Sequence, residues 1–330
     1  MRINENIIKY GSDNLKLSEV QDTKTQELFN NVKRYFENAE AEKSKKAYTT
    51  DWLHFQNWCI EKNLDSLPAN PETVMMYISD MAKIYKVSTI RRKMTSISLI
   101  HRNNGHETPI KNAKVQRTFK GIKNDKGTVQ DAKKALLSDD IKKMVDALSN
   151  TLQGARDKAI ILLGYAGTFR RSEIVNLNVN DIIFENEGVK IIIRKSKTDQ
   201  EGAGIIKGVM YGKDANTCPV MALKNWLLFS GIVDGPIFRS FTIHKELTDK
   251  RLSSKAIALI IKRTVDKIGL NPGDFAGHSL RSGSVTQAAL NGSDKWALMK
   301  QGGWKSEAML NRYIRNADLY KNNISSNLGL

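Results

Sequence analysis

The segment A-G-T-F-R-R-S-E-I-V-N-L (residues 166–177) interrupts a strongly apolar helical pattern, which covers Arg156–Ala166, and then restarts it. Gly167-Thr168-Phe169 is the break, and Arg170 and Arg171 stand at the start of the next predicted helix. Arginines are unusual there, because the helix dipole favours anions and acidic side chains at a helix N-terminus. A helix N-terminus with an added arginine is a typical phosphate site. The stretch therefore predicts a helical scaffold with an anion bound to it.

The charge balance indicates the kind of partner. The 330 residues carry 52 Lys+Arg against 35 Asp+Glu, a formal charge of +17 that is spread along the chain. A folded protein this basic is typical of nucleic-acid binding. No apolar stretch approaches the ~20 residues that span a bilayer, and the charged N-terminus does not resemble a secretory signal. We therefore expect no membrane association.

The cysteine count indicates the cellular compartment and argues against one class of metal site. Cys59 and Cys218 are the two cysteines of the chain. They are too few for a disulfide scaffold or a four-cysteine zinc site. The composition favours the cytoplasm.

Periodicity divides the chain into helical domains. We predict a loose arm over residues 1–22, a helical domain over 23–124, a polar basic linker over 125–135 and a second domain over 136–330. Apolar spacing in the first domain is helical throughout. The second domain is mostly helical, with one small sheet indicated by β-branched runs around a turn at residues 186–188. The fold class is mainly α with a small antiparallel sheet.

Motifs for bound nucleotides and metals are missing from the sequence. It has neither a G-x-x-x-x-G-K-[ST] phosphate loop nor a G-x-G-x-x-G turn after a strand. None of the five histidines pairs with another at the i+3 or i+4 spacing of a zinc protease, and no two-metal acidic cluster is evident. We expect neither a metal nor a cofactor.

Four further signals follow in chain order, and each is weak by itself. Lys197 lies in R-K-S-K-T-D just after a predicted strand, and His278 and Arg281 lie three apart in A-G-H-S-L-R-S-G. Trp304 follows two glycines, and Tyr313 comes nine residues later. A hairpin lysine is usually only solvated, and such a tyrosine is usually a half-buried core residue.

The order of these signals resembles the tyrosine recombinase (phage integrase) family. The chain is most similar to Cre-type recombinases, through G-G-W-K-S-E-A-M-L-N-R-Y-I-R-N near the C-terminus and F-Q-N-W-C in the first half. The resemblance covers nearly all of the chain after about residue 25. It implies a helical core-binding domain and a catalytic domain acting on double-stranded DNA with inverted-repeat recombination sites. It also implies a metal- and ATP-independent reaction through a Holliday junction, in a homotetramer that assembles on DNA from monomers.

The resemblance also implies a role for each matched residue. Tyr313 would be the nucleophile that forms a 3′-phosphotyrosyl bond, Arg170 and Arg281 would hold the phosphate, and Lys197 would protonate the leaving oxygen. The remaining matched residues are His278 as an acid/base or phosphate ligand, Trp304 where many relatives have His, and Glu173 as a supporting residue. Arg170 is assigned because it stands three before Glu173, and Arg171 is the alternative.

The same resemblance assigns DNA contacts to two helix starts in the first domain. The residues are Ser44, Lys45 and Lys46 on one helix, Thr89, Arg91, Arg92 and Lys93 on another, and Lys255 in the second domain. A solvated basic face is the alternative for each cluster. The tail, residues 316–330, is expected to dock on a neighbouring protomer, or alternatively on its own domain.

Two other functions remain open at this point. One is an enzyme that only relaxes or resolves DNA, such as a type IB topoisomerase or a telomere resolvase. The other is a catalytically inactive DNA-binding regulator of the same fold. The filled catalytic positions argue against the regulator.

Overall fold

A computed structural model describes residues 23–38, 42–127, 133–194 and 204–314. The chain divides into two compact units between residues 131 and 132. This point lies within the segment predicted as linker, and the last helix before it extends to Lys126. The arm over residues 1–22, Lys197 and the tail at 316–330 lie outside the described residues.

The described residues form thirteen α-helices and five β-strands. The helices are α1 (Thr23–Asn38), α2 (Glu42–Glu61), α3 (Pro71–Ala82), α4 (Val87–Asn103), α5 (Ala113–Lys126), α6 (Ser138–Asp146), α7 (Leu152–Ala166), α8 (Arg171–Asn176), α9 (Pro219–Ser230), α10 (Ser254–Lys267), α11 (Ser279–Leu290), α12 (Lys295–Gly302) and α13 (Glu307–Ile314). The strands are β1 (Ile182–Phe184), β2 (Gly188–Ile193), β3 (Ile205–Met210), β4 (Arg239–Phe241) and β5 (Leu247–Arg251). The mainly α fold class is confirmed.

The first unit, α1–α5, has an aromatic core. Trp52, Phe55 and Tyr77 are buried where α2, α3 and α4 meet. The buried ring of His101 joins α4 to the loop before α3. Its Nε2 accepts a hydrogen bond from the backbone N–H of Ala69 at 2.9 Å, and its Nδ1 lies 2.8 Å from the Ile97 carbonyl. Because a carbonyl can only accept, Nδ1 carries the proton and the ring is neutral.

A buried ion pair also joins α2 to α4. The ammonium of Lys93 lies 3.5 Å from Oδ1 of Asp51, and both side chains are 4% exposed. Arg92, on the surface, approaches Oδ2 of the same carboxylate at 3.0 Å. Burial lowers the pKa of Lys93, and the Asp51 charge opposes that shift.

The second unit packs helices around a three-stranded antiparallel sheet of order β1-β2-β3. The inner face of β2 consists of Val189, Ile191 and Ile193, all buried. In the register, Lys207 of β3 lies opposite Ile191 and is buried on the same face. The short hairpin of β4 and β5 is a second sheet that the sequence analysis did not predict.

The segment over residues 133–138, which we call the strap, lies along α11. The backbone N–H of Leu136 donates to the carbonyl of Ser279 at 3.2 Å, and that of Lys134 donates to Asp274 at 2.9 Å. A Cβ at Gly283 would lie 1.7 Å from the Leu136 carbonyl oxygen. The close approach therefore requires glycine on this face of α11.

No helix within the described ranges is both long enough and apolar enough to cross a membrane.

Candidate active site

The candidate site is built around the break between α7 and α8. The backbone leaves α7 through Gly167 and Thr168, and Thr168 has a φ of 51°. This left-handed conformation is costly for a β-branched residue. The Thr168 hydroxyl is buried and has no hydrogen-bond partner among the described residues. The turn is therefore strained and must be held by its surroundings.

Arg170 and Glu173 form a closed pair at the start of α8. Glu173 accepts a hydrogen bond from the Arg170 backbone N–H at 2.9 Å and one from its guanidinium at 2.6 Å. The Glu173 side chain is 2% exposed. Arg171 is exposed and lies against Gly277, where a Cβ would be 1.9 Å from its Cδ. This geometry favours Arg170 as the arginine of the site.

Arg281 is the most deeply buried cation of the site, with 1% exposure. Its guanidinium donates to the carbonyls of Thr168 and Gly302, each at 2.5 Å. It also stacks on the ring of Trp304, 4.1 Å from the ring centroid. Burial, and next the nearby Arg170, lower the pKa of Arg281 to about 10, while Glu173 and Tyr313 oppose that shift. The Arg281 guanidinium is thus held in one orientation and remains charged at neutral pH.

Tyr313 reaches the site from α13. Its hydroxyl oxygen lies 2.8 Å from Nε2 of His278, the residue before α11. Its ring lies 5.2 Å from that of Trp304, measured between centroids. Leu310 and Ile314, on the same helix, are buried against α11 and α12. A small apolar cluster therefore places the phenol beside the imidazole.

The two glycines before Trp304 have separate structural reasons. Gly303 ends α12 with a φ of 66°, the left-handed conformation that favours glycine. A Cβ at Gly302 would lie 1.6 Å from the Trp304 ring. The G-G-W motif thus turns the chain and lays the indole under Arg281.

Lys207 is a site residue that the sequence analysis missed. Its ammonium donates to the carbonyl of Gly167 at 3.0 Å and approaches that of Thr168 at 3.4 Å. It lies 3.9 Å from Oε2 of Glu173 and 4.7 Å from the centroid of the Phe169 ring. Burial lowers the pKa of Lys207 to about 7, Glu173 opposes the shift, and Arg281 and Arg170 add to it.

The structure brings together the predicted residues Arg170, Glu173, His278, Arg281, Trp304 and Tyr313. The predicted acid, Lys197, is not among the described residues. Lys255 is exposed at the start of α10. Among the described residues, no group of three or more His, Cys, Asp or Glu side chains is placed to hold a metal ion.

The predicted DNA-contact residues of the first unit fall into two groups. Lys46, Arg91 and Arg92 are exposed, whereas Ser44, Lys45 and Thr89 are partly buried. Lys93, predicted to contact DNA, is instead buried. Its side chain faces the core and pairs with Asp51, because helical spacing places it beside the apolar residues of α4.

A family model described as the phage integrase family matches residues 134–319. The chain belongs to the phage integrase family. It is 40% identical over 296 residues to an integrase/recombinase xerD homolog of Selenomonas ruminantium, which covers 88% of this chain and 87% of that protein. It is 26% identical over 278 residues to tyrosine recombinase XerD of Rickettsia bellii, covering 78% and 83%. The chain is therefore a tyrosine-type site-specific recombinase, as its resemblance predicted.

Solved structures of the phage integrase family share its fold. A XerH recombinase bound to a palindromic difH substrate superposes with a TM-score of 0.62 at 15% identity, covering 92% of this chain and 89% of that one. A lambda integrase dimer bound to a COC′ core site gives a TM-score of 0.58 at 19% identity, covering 88% and 76%.

Proposed function

We propose that this recombinase cleaves and religates double-stranded DNA through a covalent 3′-phosphotyrosyl bond to Tyr313. The observation that carries the proposal is the 2.8 Å contact between the Tyr313 hydroxyl and His278 Nε2, beside the buried guanidinium of Arg281. A phenol is a weak nucleophile at neutral pH, and a base within hydrogen-bond distance activates it.

Each described residue has a part in the cleavage step. His278 Nε2 accepts the phenol proton as the Tyr313 oxygen bonds to phosphorus and the bond from phosphorus to the 5′-oxygen breaks. Arg170 and Arg281 present planar donor forks to the non-bridging oxygens, whose negative charge grows in the transition state. Trp304 orients Arg281 by stacking and cannot itself transfer a proton at neutral pH. Glu173 orients Arg170.

Lys197 is proposed as the acid that protonates the leaving 5′-oxygen. The reversal of both bonds religates the strand, and the phosphotyrosyl bond conserves the energy of the one that was broken. Neither ATP nor a metal ion takes part, since the arginines supply the charge stabilisation. Cleavage should accordingly continue in EDTA.

The partner is proposed to be duplex DNA with inverted-repeat sites. The formal charge of +17 supports it, as do the exposed Lys46, Arg91, Arg92 and Lys255. Both structural relatives above were solved on DNA. Affinity should fall with salt with a log–log slope of about −0.9 per phosphate neutralised.

The assembly is proposed to be a homotetramer that joins two sites and exchanges strands through a Holliday junction. The protein would be monomeric in the cytoplasm until it binds. The tail at residues 316–330 would dock on the neighbouring protomer and couple assembly to cleavage. Deletion of residues 319–330 should preserve binding to one site in a gel-shift assay and abolish two-site complexes.

Tyr313→Phe tests the chemistry directly, because it removes the hydroxyl and retains the ring. The variant should bind cognate DNA with near-normal affinity and form no covalent adduct in a denaturing gel. Adducts that persist in this variant would exclude Tyr313 as the nucleophile.

Substrates with sulfur in place of the 5′-bridging oxygen test the acid, because sulfur leaves without a proton. These substrates should restore cleavage by Lys197→Ala and should not restore cleavage by Arg170→Ala. The opposite pattern would exchange the two roles.

A further inference from the structure

We propose that Lys207 is a positioning residue for this reaction: from the core behind the arginines, its ammonium holds the turn at residues 167–169 and the Glu173 carboxylate, and thereby sets Arg281 and Arg170. This inference rests on the proposed function.

The first contact is with the strained turn. Lys207 donates to the Gly167 carbonyl at 3.0 Å and reaches that of Thr168 at 3.4 Å. The same Thr168 oxygen accepts from Arg281 at 2.5 Å. Strained backbone persists only where its surroundings over-determine it. Because Lys207 and Arg281 share this acceptor, loss of the ammonium releases the turn and with it one anchor of Arg281.

The second contact is with the carboxylate that holds Arg170. Lys207 lies 3.9 Å from Oε2 of Glu173, the oxygen that also accepts from the Arg170 backbone. The ammonium thereby adds a second positively charged neighbour to this carboxylate. Glu173 is thereby held between a cation in the core and the arginine that faces the phosphate.

Stability alone does not explain a lysine at this position. Lys207 occupies the inner face of β3, opposite Ile191 in the register, where an apolar side chain would avoid the cost of burying a charge. Its one carboxylate neighbour within 4 Å, among the described residues, is already paired with Arg170. A buried charge without a dedicated partner is expensive and is a mark of a functional site.

The test is Lys207→Met, which keeps the length and removes the charge and its donors. The control is Lys190→Met on β2, a lysine whose side chain is 38% exposed and pairs with Glu185. Single-turnover cleavage of a suicide substrate at saturating DNA should fall roughly 10²-fold in Lys207→Met, the loss expected when reacting groups are misplaced by about 1 Å. DNA affinity should stay within about threefold, because most of the binding energy is expected from phosphate contacts along the DNA outside this site.

The pH profile separates positioning from packing. The charged groups that face the ammonium are Glu173 and Arg170 at α8 and Arg281 on α11. With limiting DNA, wild-type cleavage should lose rate as pH rises above about 7, where Lys207 of the free protein loses its proton. This limb should disappear in Lys207→Met and persist in Lys190→Met. A limb that persists in Lys207→Met overturns the proposal.

Two other results would also overturn it. One is cleavage by Lys207→Met at the rate of Lys190→Met. The other is its rescue by the 5′-phosphorothiolate substrate, which would make Lys207 the acid. If Lys207→Met loses its cooperative melting transition, the same measurements are made on Lys207→Gln, which keeps a neutral donor. The same results would then support or overturn the proposal. Failure of the proposed function is distinct, because wild-type protein would then form no Tyr313 adduct.

Discussion

Lys93 in the first unit and Lys207 in the second are both buried lysines, with 4% and 3% exposure, but their surroundings differ. Lys93 lies beside a carboxylate, Asp51, whose other neighbour is the half-exposed Arg92. Lys207 bonds to neutral carbonyls and shares Glu173 with the partly buried Arg170.

The difference separates a cluster whose buried charges balance from one with an excess of positive charge. At Asp51 the buried charges cancel, and the remaining cation reaches water. Around Glu173, the three cations Arg170, Lys207 and Arg281 surround one carboxylate, and little solvent reaches them. Under the proposed function, a phosphodiester between Arg170 and Arg281 would supply the missing negative charge, so DNA binding should stabilise this cluster.

The largest expected effect on stability is that of Glu173→Gln, which removes the negative charge and replaces one acceptor oxygen with a donor. Because Arg170 and Arg281 are then left uncompensated, even when Lys207 loses its proton, the free energy of unfolding of the second unit should fall by about 3–5 kcal/mol. Native-state hydrogen exchange of the α7 amides in the full chain measures it. Added sulfate should restore part of the loss. A fall below about 1 kcal/mol would mean that the cluster is not strained by its charge.

Asp51→Asn should cost less, about 1–3 kcal/mol in the first unit. Lys93 can lose its proton, and Arg92 can turn to solvent. Exchange of the α4 amides reports the change. Glu72→Gln is the control, because it removes an exposed pair with Lys114 and should be near neutral. Equal losses at Asp51 and Glu173 would remove the distinction between the clusters.

Titration of Lys207 gives a smaller effect with a defined sign. Its folded pKa is lowered to about 7, whereas the unfolded value is ~10.4. Between these values the unfolded state holds a proton that the folded state lacks, so stability rises with pH by up to ~1.4 kcal/mol per unit. From pH 7 to pH 9, urea unfolding should show that the free energy of unfolding of wild type rises relative to that of Lys207→Met. The free energy of unfolding of Lys190→Met should change with pH as that of wild type does.

The smallest expected effect is a loss of stability of the first unit at acidic pH. Burial lowers the pKa of His101 below its ordinary 6.5, and its neutral ring accepts from Ala69. The unfolded state therefore takes up a proton first as pH falls, and stability is lost as pH falls below the ordinary value of about 6.5. Exchange of the α4 amides should accelerate from pH 7 to pH 5.5, after correction for intrinsic rates. In His101→Gln this acceleration should be smaller.

The order of motifs along the chain predicted most of the site, because Arg170, His278, Arg281 and Tyr313 are recognisable together. Lys93 was misplaced although its position was readable: it follows Ile90 by three residues and precedes Ile97 by four, which puts it on the buried face of α4. The sequence shows no comparable sign for Lys207. A lysine within I-I-K-G-V-M predicts a solvent-facing position, and only the tertiary approach of the α7–α8 turn provides its acceptors.

The strap gives the second unit a mechanical property. Its backbone bonds to Asp274 and Ser279 lie immediately before and at the start of α11, the helix that holds His278 at its N-terminus. The carbonyl of Leu136 is seated against Gly283 with no space for a methyl group. A pull on the chain that enters this unit is therefore borne first by the bond from Lys134 to Asp274 and next by the bond from Leu136 to Ser279, the residue after His278. Force on the strap thus reaches the start of α11 before it reaches the core.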